Sequence, residues 1–67
     1  MLKYQIRVEA NGQIDTEETT SITGACDAAR EAVELHADHG SPVVAEVYRI
    51  DGRDESLVYH VSHEEER

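Results

Sequence analysis

A chain of 67 residues with fifteen acids against six bases, a formal net charge of -9, is too short for more than one domain and repels nucleic acid, anionic membranes and acidic substrates. At this size only about 60% of the surface exposed by the unfolded chain is buried, so no large internal active-site cavity is expected. A single cysteine, Cys26, excludes an internal disulfide and makes a reducing interior the simpler home.

The opening M-L-K-Y-Q-I-R-V alternates polar with apolar residues and has no continuous apolar run. Neither a signal peptide nor a membrane span is therefore expected, and the expected location is cytoplasmic. Leu2, Tyr4, Ile6 and Val8 share the period-two spacing of a strand with one buried face. Asn11 and Gly12 follow as a tight turn, since that pair tolerates the positive φ that hairpin turns require. Beyond it Q-I-D-T-E-E-T-T-S-I is rich in β-branched Thr and poor in core residues, and it reads as a loop that can close into a short edge strand near Thr16 to Ser21.

Thr23 is the expected N-cap and Gly40 the expected left-handed terminator of a helix from Gly24 to Asp38. Ala25, Ala28, Ala29, Ala32, Val33 and Leu35, with His36 at the margin, cover its inward side, and their small size allows close approach to a sheet. Pro42 marks the exit. V-V-A-E-V-Y-R-I and L-V-Y-H-V-S-H then give two strands around the loop D-G-R-D-E-S, with Val43, Ala45 and Val47 on one face of the first and Leu57, Tyr59 and Val61 on one face of the second. The predicted architecture is α+β, one helix packed on a three- to four-stranded antiparallel sheet in the order β-(β)-α-β-β. Residues 1–63 form the domain and 64–67 a frayed acidic tail.

On a helix the offsets between Asp27, Glu31, Glu34 and Asp38 return to nearly one direction, so these four carboxylates form a stripe. Like charges about 5 to 6 Å apart on a helix surface destabilise it, and Asp38 in the last turn also opposes the helix dipole. One reading is a solvated face. Salt adaptation is a variant, supported by the single lysine, Lys3, but Glu outnumbers Asp ten to five. The third reading is imitation of nucleic acid. Duplex DNA carries a charge every ~3.4 Å along each strand, and a helix with a carboxylate per turn can occupy a groove built for it. Asp15, Glu17 and Glu18 before the helix and Glu64, Glu65 and Glu66 after the last strand would flank the stripe.

A tiny acidic chain with Thr23 and D-A-A-R-E-A-V, Asp27 to Val33, after a first strand resembles, at the level of class, the small phage-encoded anti-CRISPR proteins. The resemblance covers strand, helix and C-terminal hairpin by pattern. It implies a non-enzymatic inhibitor that competes with target DNA on a cascade-type complex of a type I CRISPR system, at the large subunit that reads the PAM. The partner would be the basic DNA-binding surface of that effector or of a similar nucleic-acid-binding protein. The partner-binding residues, Asp27, Glu31, Glu34, Asp38, Asp15, Glu17 and Glu18, come from the charge pattern alone. A generic acidic protein-interaction module, or a salt-adapted small domain, is the alternative.

Two H-x-x-H pairs, His36 with His39 and His60 with His63, raise the question of zinc. Residues three apart on a strand point to opposite faces, and His39 lies at the helix end, so no metal site and no cofactor are expected. Cys26 reads as a small buried thiol. No G-x-S-x-G, phosphate-binding glycine loop or H-E-x-x-H is present, and Glu46 falls out of phase with the buried face of its strand. The expectation is a monomeric non-enzyme.

Overall fold

A computed structural model describes residues 2–64. The alternation read at the start becomes β1 (Leu2–Ala10), with Tyr4 and Ile6 buried. Asn11 at φ 56° and Gly12 at φ 77° then make the two-residue hairpin turn. That turn sets the register of the next strand on β1. β2 (Gln13–Thr19) starts at once, pairing Gln13 with Ala10 and running antiparallel to Thr19 opposite Tyr4. The strand thus begins earlier than the Thr16 to Ser21 expected, because its backbone hydrogen bonds follow from the turn and need no buried side chains.

The helix α1 (Ile22–Asp38) is capped by Ser21 and not by Thr23. Ser21 lies in the extended region and its hydroxyl oxygen accepts from the Gly24 N–H at 3.1 Å, while its own N–H donates to Thr19 Oγ1 at 3.3 Å. Thr23 falls inside the first turn. At the other end Gly40 takes φ 72°, its N–H donating to the Ala37 carbonyl at 2.9 Å and the Ser41 N–H to the His36 carbonyl at 3.1 Å. These are the paired bonds of a Schellman terminator, as Gly40 suggested.

β3 (Val43–Asp51) and β4 (Asp54–His63) are joined by only Gly52 and Arg53. Gly52 takes φ 62° and Arg53 a negative φ, as in a II′ turn, so most of the expected six-residue loop is strand. The four antiparallel strands stand in the order β2-β1-β3-β4, and the helix, which falls between β2 and β3 in the chain, lies on one side of the sheet, mainly over β3 and β1. The core is small: Tyr4 and Ile6 from β1, Ala25, Ala29 and Val33 from α1, and Val43, Ala45 and Val47 from β3. Ala25, Ala29, Ala45 and Val47 have no exposed surface, the result of alanines bringing helix and sheet close together.

One expected face is broken. Val47 stands opposite Tyr59, but Tyr48 stands opposite Leu57, leaving Val58 as an extra residue in a β-bulge. Tyr59 and Val61 pack at the margin of the core, whereas Leu57 is turned to the side away from the helix and is 53% exposed. The tail beyond Glu64 lies outside the described residues, and Glu64 itself is exposed.

Candidate functional site

On α1 the buried Ala25, Ala29 and Val33 define the side against the sheet, and Asp27, Glu31, Glu34 and Asp38 fall on the opposite side. Glu31, Glu34 and Asp38 are exposed and Asp27 is half-buried. Arg30, one turn on from Asp27, pairs with its carboxylate. That hydrogen bond first, and then the charge of Asp27, hold the Arg30 guanidinium above its ordinary range. Glu31, Glu34 and Asp38 have no such partner among the described residues.

The hairpin register decides where the preceding acids go. Asp15 stands opposite Val8 and Glu17 opposite Ile6, so both project on the helix side of the sheet, beside the stripe. Glu18, the next residue, projects on the other side, where it pairs with Lys3 Nζ at 2.8 Å. The structure therefore joins six of the seven expected site residues on one side of the molecule and separates Glu18 from them.

Because α1 leaves β2 uncovered, a hollow of about 340 Å³ runs between them. Asp15 and Glu17 from β2 and Glu31 from α1 line it together with Ile6, Val8, Ala28, Ala32, Leu35 and His36. Leu35 was expected on the inward side but is 59% exposed. The hollow itself was not legible in the sequence, which shows neither which strand the helix leaves bare nor which residues of β2 turn toward it.

The histidines do not converge. His60 stands opposite Glu46 and His63 opposite Val43, on the two faces of the sheet, while His39 caps the helix and His36 lines the hollow. Among the described residues no three His, Cys, Asp or Glu side chains are grouped to hold a metal ion. Cys26 is a half-buried free thiol in a shallow depression shared with Ile22, Arg30 and Tyr59. No described helix is long and apolar enough to cross a membrane. What the arrangement offers chemically is a field of exposed carboxylates beside an apolar hollow, which suits recognition of a cationic surface. No protein-family model, curated protein or solved structure matches the chain.

Proposed function

We propose that the protein is a non-enzymatic inhibitor that docks its acidic side onto a basic, DNA-receiving surface of a CRISPR effector and keeps target duplex from being read at the PAM. The observation that supports this reading is the meeting of two elements: β2 adds Asp15 and Glu17 to the carboxylates of α1, on a side where Arg30 is the cation paired with the stripe. Such a surface offers the Lys and Arg side chains of a DNA groove a replacement for phosphates. The effector is named from the resemblance in size, charge and element order, and the acidic side is the part of the proposal carried by geometry.

The test is a competition between labelled target duplex and this protein for a cascade-type complex. Wild-type protein displaces duplex, and its own direct binding to the effector weakens as salt rises. Glu31→Lys with Glu34→Lys weakens it at least about ten-fold, since both residues stand at the centre of the exposed stripe. Unchanged duplex binding in the presence of saturating wild-type protein overturns the proposal and returns the stripe to a solubilising role.

A further inference from the structure

The hollow between β2 and α1 combines two surfaces that seldom occur together. Its floor and one wall are largely apolar, made by Ile6 and Val8 from β1 and by Ala28, Ala32 and Leu35 from α1 with the His36 imidazole beside them, whereas Asp15, Glu17 and Glu31 edge it from two different elements. None of these three carboxylates is in an ion pair among the described residues, although Asp27, Glu18, Glu55 and Asp51 each have an Arg or Lys beside them. A helix lying on a sheet usually meets apolar residues on the strands beneath it. Here the strand at its side presents carboxylates, and below them Ile6 is buried while Val8, Ala28 and Ala32 are half-buried and Leu35 is exposed.

We propose that this groove receives an arginine side chain of the basic partner. Its methylene stem and flat guanidinium face lie on Val8, Ala32 and Leu35, and its N–H groups donate to Asp15, Glu17 and Glu31. Arginine fits both walls. The guanidinium is planar and weakly hydrated, so it can lose water against an apolar floor, and its fork of donors can serve more than one carboxylate. Lysine presents a compact, strongly hydrated ammonium that gives up more on the same floor. Asp15 and Glu17, two apart on one strand, have backbone positions about 6.6 to 6.8 Å apart along it, so two carboxylates edge a single opening. At about 340 Å³ and open to one side, the hollow has room for one long side chain with space left around it. This inference rests on the acidic-side reading above and adds to it the residue type that anchors the contact and the place where it enters.

The experiment titrates the isotope-labelled whole chain, followed by NMR, with nona-arginine, with nona-lysine of equal charge, and with spermidine. The expected result is that methyl signals of Ile6, Val8 and Leu35 shift with nona-arginine, which binds about five-fold more tightly than nona-lysine. Ala32→Leu fills the floor while keeping every carboxylate, and it abolishes that preference; Ala28→Leu fills the same floor one turn earlier and serves if the first variant fails to fold. Glu34→Gln, on the stripe but outside the hollow, weakens both peptides alike. Equal binding of the two peptides, insensitive to the filling variants, overturns the groove while leaving the acidic-side reading intact, since that reading fails separately in the duplex competition. Spermidine shifting the same methyls as strongly as nona-arginine also overturns it, because the groove would then take any free polyamine.

Discussion

Ser21 and Thr23 both bear hydroxyls, both are exposed, and either could cap a helix that begins near them. One hydrogen bond distinguishes them, the Gly24 N–H donating to Ser21 Oγ at 3.1 Å. Ser21→Ala is therefore expected to cost about 1 kcal/mol in urea unfolding, while Thr23→Ala, inside the first turn, changes stability by no more than a few tenths. Equal losses from the two would contradict the assigned cap. The ambiguity in the sequence has a physical origin: Thr19, Thr20, Ser21 and Thr23 are all competent caps, and the choice depends on where β2 stops, which the turn at Asn11 and Gly12 sets from a distance. Gly40 was easier to read because its role is a backbone one. A Cβ added there would meet no atom within 4 Å, so Gly40→Ala should lose about 1 kcal/mol through the positive φ of 72° alone. The same urea experiment measures it, and a neutral effect would mean that the terminator re-forms around alanine.

At the scale of elements, strands whose register follows from a short turn and a strict alternation were legible: β1, the first hairpin turn and the buried face of β3 all follow from residue spacing. β4 was legible as a strand and in the facing of Tyr59 and Val61, but not in that of Leu57, because a bulge inserts one residue into an otherwise regular alternation. Nothing in L-V-Y-H-V marks Val58 as the extra one. The consequence is a contrast between two apolar residues. Val47 has no exposed surface and touches the core, whereas Leu57 is 53% exposed on the far side of the sheet. Val47→Ala should cost about 2 kcal/mol in chemical denaturation, and Leu57→Ala well under half of that despite removing more carbon. Similar losses would place Leu57 in the core, as the bare alternation suggests. The acidic stripe was legible for the same reason as β1, since helical periodicity fixes direction without knowledge of what packs where. The hollow beside it was not, because it depends on the sideways placement of α1 over β3 and β1, a tertiary fact that no local pattern carries.

At the scale of the whole molecule, the formal charge of -9 is unevenly placed: β2 and the outer side of α1 carry Asp15, Glu17, Glu18, Glu31, Glu34 and Asp38, whereas Ser56 to Ser62 on β4 carry no acid at all. Both edges of the sheet are guarded, but by different means. β2 is guarded by its carboxylates and β4 by the bulge at Val58 and its irregular edge. A monomer is expected by light scattering at low and at moderate salt; a dimer that persists at low salt, where repulsion between copies is strongest, would show that the β4 edge overrides the charge. The same charge distribution governs stability. Within one copy the carboxylates of α1 repel each other and those of β2, and among the described residues Arg30 pairs with Asp27 alone, so folding gathers negative charge that the unfolded chain holds farther apart. Added salt shortens the reach of that repulsion from about 10 Å at 0.1 M to about 3 Å at 1 M. Thermal unfolding should therefore move to higher temperature as sodium chloride rises through that range. Chloride is the salt to use, because sulfate would also strengthen apolar burial and confuse the cause. Glu31→Lys with Glu34→Lys replaces two repulsions by two attractions, so the double variant should start at an equal or higher unfolding temperature and gain less from salt than the wild type. If the two proteins respond to salt in parallel, the stripe is not where the repulsion lies, and the tension would belong instead to the acids of β2.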